Sequence, residues 1–317
     1  MSSKSNNQPR DAPSTSFVVD PYLTNIYTND QFGVVLVAAW PPNQSFLEPY
    51  ELFINQVKQC FDSSDLEYMN ELDQLNDQGG HNENESTITS LNNNDDNEND
   101  YDKANDSHKS ETMTPNVYLY PPRHMHITVA SFHQFNKSFD AGYDHESYLK
   151  ACQQIVQNAM KRSDWPKNKF NVKVDRAQIG EKAGILLWKD SNNDEGNGSS
   201  FHLIRKIVRE EYEKFVTTMT ANSDTSSCCK MGIIPKGKEV IIPGIIHSTF
   251  LRFGGKPSTD GKVIQDRFQS LVMKNMENIF NKSVSIDSVK LVVEKKAYMH
   301  IPSDEGHILE SSELSLS

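Results

Sequence analysis

The chain has 317 residues, of which 36% are hydrophobic, and a formal net charge of −11. The acidic excess is concentrated in residues 62–116, where 15 Asp and Glu stand against two Lys and leave the rest of the chain close to neutral. The acidic total therefore does not exclude a phosphate-bearing partner. No apolar stretch reaches the roughly 18 residues that a membrane span needs, which argues against a membrane partner.

Cysteine usage and the N-terminal segment bear on the cellular compartment. The four cysteines show neither CxxC spacing nor a neighbouring histidine cluster, so a disulfide framework and a zinc site are both disfavoured. The segment MSSKSNNQPRDAPSTS is polar and lacks the apolar centre of a signal peptide. We expect reduced thiols and a cytoplasmic protein, with the nucleus as the alternative.

The N-terminal part of the chain alternates polar and apolar segments. Residues 1–16 are predicted to form a disordered arm. The run FGVVLVAAW (32–40) is typical of a buried strand that ends at a Pro-Pro pair, and residues 49–61 carry apolar side chains at helical spacing. Residues 62–116 are rich in Asn and Asp and cannot bury enough surface to offset their ordering entropy, which predicts a disordered insertion.

After the insertion, strand-like stretches alternate with amphipathic helices. The predicted elements are strands within 116–135, a helix at 146–163, a hairpin at 170–190, a helix at 201–216, a strand run at 239–253, a helix at 263–280 and a strand run at 284–300. The two halves match in outline. We therefore expect an α+β, bilobal, pseudo-symmetric fold whose antiparallel sheets meet at a central cleft, with the helices outside. Residues 17–317 would form one domain, interrupted by the insertion at about 62–116.

The same short unit occurs once in each half, as HITV (126–129) and HSTF (247–250). On a strand, residues i and i+2 point to the same face, so each histidine would project beside its threonine. An imidazole with an ordinary pKa near 6.5 can accept or donate a proton at neutral pH, and a hydroxyl can hydrogen-bond a phosphate oxygen. Two facing units would provide a base, an acid and two phosphate-binding groups.

Other interpretations of these histidines are weaker. Among ten histidines a single His-x-Thr or His-x-Ser is expected by chance, and HESY (145–148) is a third match at a polar helix start. His124 and His126 would share a strand face and suggest a metal pair, but no third ligand has suitable spacing. The two units in apolar strands favour catalysis, and no metal or other cofactor is expected.

These features resemble the 2H phosphoesterase superfamily, which includes the bacterial RNA 2′,3′-cyclic phosphodiesterase/2′–5′ RNA ligase group. The resemblance rests on both His-x-Thr units, the opening strand FGVVLVAAW and the closing stretch IDSVKLVVEKKAYMH, and covers roughly 30–65 and 115–300. It implies metal-independent catalysis in which His126 and His247 form the acid–base pair and Thr128 and Thr249 bind the phosphate. Ser248 departs from the family pattern, where a bulkier apolar residue is more usual.

Further residues are candidate substrate contacts: His124, Arg252 and Tyr298. By strict alternation Arg252 is out of phase with His247, so it would reach the cleft only across a bulge or from its rim. The expected activity is that of a phosphodiesterase on a 2′,3′-cyclic phosphate or an RNA-end phosphodiester, and the expected partner is a nucleotide or RNA end bound by a monomer. The alternative is a non-catalytic module that binds a nucleotide or RNA end in the same cleft.

Overall fold

The computed structural model describes residues 16–23, 31–66, 116–135, 144–191, 199–221, 239–274, 276–280, 282–294 and 308–315. Over these residues the chain has the expected α+β class, with nine strands and five α-helices. The strands are β1 Gly33–Ala38, β2 Val117–Leu119, β3 Ile127–His133, β4 Phe170–Ile179, β5 Ala183–Asp190, β6 His247–Phe253, β7 Ser283–Ile286, β8 Ser288–Glu294 and β9 Ile308–Glu313. The helices are α1 Gln44–Lys58, α2 His145–Lys161, α3 Ser200–Ala221, α4 Gly261–Arg267, which continues as a π-helix over Phe268–Met273, and α5 Glu277–Phe280.

The strands form two sheets in which every neighbouring pair is antiparallel. Sheet 1 has the order β3-β1-β8-β9, and sheet 2 has the order β2-β6-β5-β4-β7. Each sheet contains one His-x-Thr strand, β3 in sheet 1 and β6 in sheet 2. These two strands contact each other where the sheets meet, so the topology alone brings the two units together.

The helices cover the sheets in a crossed arrangement. Helix α1 follows a strand of sheet 1 but packs with α5 and the π-helix near β4 and β7 of sheet 2. Helix α3 follows a strand of sheet 2 but packs with α2 against β3 and β9 of sheet 1. Strand β1 is buried at all six positions, and it lies between β3 and β8 in the interior of sheet 1. This reciprocal exchange of helices gives the two halves their pseudo-symmetry.

Helix α2 shows how local sequence determines an element. Asp144 caps its N-terminus by accepting a hydrogen bond from the Ser147 amide at 3.0 Å. One apolar stripe faces the core with spacings of three and four residues: Tyr148, Ala151, Cys152, Ile155, Val156 and Ala159. Among the described residues, no helix is both long and apolar enough to cross a membrane.

The predicted insertion begins too early. Residues 62–66 belong to the folded unit, where Ser63–Asp65 forms a 3₁₀ turn and Asp65 is fully buried. The Asp65 carboxylate accepts hydrogen bonds from the Asn116 side chain at 3.0 Å and from the Ser258 amide and hydroxyl at 2.9 Å. An acidic residue is tolerated here because its charge is hydrogen-bonded. Residues 67–115, and the first 15 residues of the predicted arm, lie outside the described residues.

Other boundaries also differ from the sequence prediction. Helix α1 begins five residues earlier than expected, carries Pro49 inside it and leaves its apolar residue Leu52 51% exposed. In the strand run predicted at 284–300, the described part forms two strands, β7 and β8, separated by Asp287, and residues 295–300 lie outside the described residues. Strand β9 was not predicted, because its sequence ILESSE lacks the apolar alternation by which strands are recognised.

Candidate active site

The two His-x-Thr units line one cleft between the sheets. His126 immediately precedes β3 and His247 opens β6, and in both units the residue between His and Thr is buried while His and Thr are partly buried. His126, Thr128, His247 and Thr249 all face a cavity of about 330 Å³. The expected convergence of the two units is therefore present in the fold.

The two histidines are oriented in the same way. Nδ1 of His126 lies 2.9 Å from the carbonyl oxygen of His124, and Nδ1 of His247 lies 3.4 Å from that of Ile245. A carbonyl oxygen can only accept, so each Nδ1 must carry a proton. The neutral imidazole then has its lone pair on Nε2, which is the nitrogen that can accept a proton from a ligand. Each unit thus fixes its own tautomer through the carbonyl two residues upstream.

Both imidazoles favour the neutral form. Burial lowers the pKa of His126 to about 4, against an opposing hydrogen bond to His124 and with smaller lowering effects from the charges of His247 and Arg252. Burial also lowers the pKa of His247, the hydrogen bond to Ile245 opposes this, and the charges of Arg205 and Arg252 add to the lowering. A cationic surrounding of this kind attracts an anion, and a bound anion would raise both pKa values again.

Matched bulges extend the two units by one further residue each. In β3, Val129 is left out of the pairing with β1, and in β6, Phe250 is left out of the pairing with β5. The extra residue shifts the alternation, so the side chain five positions after each histidine also faces the cavity: Ser131 and Arg252. Arg252 therefore reaches the cleft across a bulge, although strict strand alternation places it out of phase with His247.

Gly184 makes the β6 bulge sterically possible. A Cβ placed on Gly184 would lie 2.6 Å from two atoms of the Phe250 ring and 3.0 Å from the Leu251 Cβ. Real Cβ atoms do not approach a ring so closely, so only glycine fits opposite the bulged phenylalanine. The position of Arg252 in the cleft thus depends on a glycine in the neighbouring strand.

A cluster of charged and aromatic groups surrounds Arg252. Its Nη1 donates to Asp20 at 2.9 Å, and Asp20 is nearly buried. Tyr120 and Glu294 line the same cavity, and burial raises the pKa of the Tyr120 phenol while the nearby Arg252 opposes that rise. Apolar residues also line the cavity: Val35, Phe135, Ile241 and Pro243. The cleft therefore combines charged and polar groups with apolar surface.

His124 does not act as expected from strand alternation. Pro122–His124 is a 3₁₀ turn rather than strand, so counting by twos does not apply and the His124 side chain is not among those facing the cavity. That side chain is buried, with the Arg123 Nε 3.4 Å from its Nε2. Its backbone carbonyl, however, orients His126. Tyr298 lies outside the described residues.

Ser248 has a clear local role. It is buried, and its hydroxyl accepts a hydrogen bond from the Trp188 indole at 3.1 Å. A larger apolar side chain would leave this indole N–H without its acceptor, so serine suits the tryptophan on the adjacent strand. The departure noted in the sequence therefore affects packing behind the strand and leaves the cleft face unchanged.

The sequence reasoning missed Tyr120, Ser131 and Glu294. Ser131 could have been found from the doubled apolar pair Val129-Ala130, because two successive buried residues mark a bulge. No comparable sequence pattern marks Glu294, which ends the mostly apolar strand β8. Within the described residues, no group of three or more His, Cys, Asp or Glu side chains is arranged as a metal site.

No protein-family model matches this chain, and no curated protein matches it. Among solved structures, the chain is similar to TT0787 of Thermus thermophilus, with 11% identity over 63% of this chain and 82% of that chain and a TM-score of 0.30. A likeness at this level carries no argument about activity. Any inference about activity therefore rests on the residues that line the cleft.

Proposed function

We propose that this chain is a metal-independent phosphodiesterase of the 2H type that acts on a 2′,3′-cyclic phosphate or an RNA-end phosphodiester. The observation that supports the proposal most is the pair of equivalently oriented imidazoles in one cavity, each followed two residues later by a threonine. Paired acid–base groups flanking one position suit in-line displacement at phosphorus, where one oxygen arrives as another leaves. The cavity volume of about 330 Å³ suits a ligand of mononucleotide size.

In the proposed hydrolysis, Nε2 of one neutral histidine takes a proton from water as the water oxygen bonds to phosphorus. The bond from phosphorus to the ribose oxygen breaks, and the other histidine, protonated, donates its proton to that oxygen. The threonine hydroxyls and the Arg252 guanidinium would stabilise the charge on the non-bridging oxygens. The product is a phosphomonoester, and proton exchange with solvent restores the two histidines.

We assign the base role to His126 and the acid role to His247. His126 has the shorter bond to its orienting carbonyl, and burial lowers its pKa to about 4, so it is neutral at physiological pH. The pKa of His247 is also lowered, and a bound phosphate anion would raise it toward the protonated form that an acid needs. The two groups share one substrate, so their apparent pKa values would belong to the pair.

The test is a turnover screen carried out with and without a chelator. The substrates are the four nucleoside 2′,3′-cyclic phosphates, an oligonucleotide ending in a cyclic phosphate, and a 2′–5′ linked oligonucleotide. His126→Gln and His247→Gln should each lose about 10²–10⁴-fold in kcat, and the double variant should lose little more because both act on one step. The matched control is His202→Gln, because His202 is exposed.

Three results would contradict the proposal. Turnover that persists in the double variant would remove the histidines from the chemistry. Absence of turnover by the wild type, together with saturable binding of a cyclic nucleotide, would support the binding module. Loss of activity on chelation would contradict the metal-independent mechanism.

A further inference from the structure

Arg205 is a buried cation on the face of α3 that packs against sheet 1. It is 3% exposed, and its neighbours on the same helix face, Ile204 and Val208, are fully buried. Its guanidinium lies 4.7 Å from the centre of the Phe201 ring. Among the described residues no carboxylate lies within ion-pair distance of it, and its Nε and Nη1 make no hydrogen bond. Burying a charge with so little compensation is unfavourable, so its presence calls for an explanation beyond packing.

The remaining nitrogen of Arg205 joins the two catalytic strands. Nη2 donates to the carbonyl oxygen of Thr128 in β3 at 2.8 Å and to that of Ile245, just before β6, at 3.0 Å. The Ile245 carbonyl is also the acceptor that orients the His247 imidazole. One nitrogen atom therefore contacts the strand of sheet 1 that carries His126 and the carbonyl that sets the ring of His247.

We propose that Arg205 is a positioning residue of this site: it holds the two His-x-Thr strands at a fixed separation and sets the orientation and charge environment of His247. The inference rests on the proposed function for its effect on turnover. Its effect on His247 can be measured without any substrate. A positioning role explains why a charge is retained at a helix position where an apolar side chain would otherwise be the stable choice.

The electrostatic surroundings of His247 are consistent with this role. The charge of Arg205 lowers the pKa of His247, in the same direction as burial and as Arg252, while the hydrogen bond to Ile245 raises it. The charged and titratable groups of the cleft and of the adjoining hollow beside Ile245 are His126, Arg252, Tyr120, Glu294, Asp175, Arg176, Lys189, Asp190 and His202. Arg205 differs from these groups because its guanidinium is hydrogen-bonded to backbone carbonyls of both His-x-Thr segments.

The experiment compares Arg205→Met and Arg205→Lys with Lys206→Met, a control on the next residue, whose side chain is 70% exposed. Histidine ring resonances are titrated by NMR in the free proteins, and His247→Gln identifies the resonance of interest. Arg205→Met removes the charge, so the pKa of His247 should rise. Arg205→Lys keeps a charge, so this pKa should stay closer to that of the wild type. Lys206→Met should leave the titration unchanged.

The kinetic readout separates position from charge. Lysine lacks the planar guanidinium and presents a point charge on a flexible stem, so it should not hold both carbonyls in one geometry. We expect kcat of Arg205→Lys to fall by about 10²-fold with KM little changed, as for a misplaced catalytic group. A folded Arg205→Lys with wild-type kcat would overturn the positioning role.

Further outcomes keep the inference separate from the proposed function. If the pKa of His247 does not move in a folded Arg205→Met, the electrostatic part is wrong whether or not any substrate is turned over. If Arg205→Met does not fold, Arg205→Lys still decides the inference through kcat and the His247 titration. If the wild type turns over none of the substrates but the pKa of His247 rises as expected, the proposed function fails while the contact between Arg205 and His247 stands.

Discussion

Protonation of His126 is expected to destabilise the fold in mild acid. In the folded chain its pKa is lowered from 6.5 to about 4, mainly by burial, whereas the unfolded chain offers an ordinary imidazole. The unfolded state therefore binds a proton first as pH falls. The stabilising contribution is complete above about pH 6.5 and is lost progressively as pH falls from there to the folded value near 4. Between pH 7 and pH 5, this one group should cost about 2 kcal/mol of unfolding free energy.

The assay is urea unfolding of the wild type, His126→Gln and His202→Gln at pH 5, 6, 7 and 8. Glutamine retains a hydrogen-bonding side chain but cannot titrate, and His202 is an exposed control. The wild type and His202→Gln should each lose about 2 kcal/mol more than His126→Gln between pH 7 and pH 5. The same pH dependence in all three proteins would refute the argument that the fold holds His126 in its neutral form.

Three other perturbations test the site and its frame. Replacing Thr128 or Thr249 by Ala should lower kcat on a cyclic phosphate by up to about 10²–10³-fold if the hydroxyl donates a hydrogen bond to the developing oxyanion. Unchanged kinetics in both variants would exclude that role. Deleting residues 67–115 and joining the ends with a short Gly/Ser linker should leave the thermal midpoint of unfolding nearly unchanged. The reason is that the hydrogen bond between the Asn116 and Asp65 side chains already holds the flanking segments together. A large drop of the midpoint in a thermal melt would contradict this. Gly184→Ala should cost about 1–3 kcal/mol in urea unfolding and reduce activity, because the new Cβ meets the Phe250 ring, and a neutral result would show that the bulge can relax.

The sequence predicted the two His-x-Thr strands because the spacing of histidine and threonine within each strand determines which side chains share a face. A period of two places His126 with Thr128 and His247 with Thr249, and the structure keeps both pairs on the cavity side. The α+β class followed from the alternation of strand and helix patterns. Strand β9 could not be predicted from the sequence pattern, since its pairing with β8 depends on backbone hydrogen bonds that any sequence can make.

The rest of the site depends on departures from regular geometry. A 3₁₀ turn removes His124 from the strand phase, and a bulge brings Ser131 into the cleft. Arg205 lies on the apolar stripe of α3, four residues after Phe201, and a charge at such a position is a readable anomaly. The helix pattern alone does not say which carbonyls that charge contacts, because one comes from β3 and the other from the segment just before β6, both distant in the sequence.

The bulges have a consequence for how a ligand can be held. Seen from the cavity, the two halves present the same series twice, histidine, then threonine, then the residue after the bulge. A phosphodiester between two identical series could bind in either of two reversed directions with equal affinity. The two sides nevertheless differ, with Ser131 on one and Arg252 on the other, so only one direction of a bound phosphodiester would place the greater negative charge beside the guanidinium. Under the proposed function, this difference would give the nearly two-fold frame a polarity, and with it a distinct entering and leaving side.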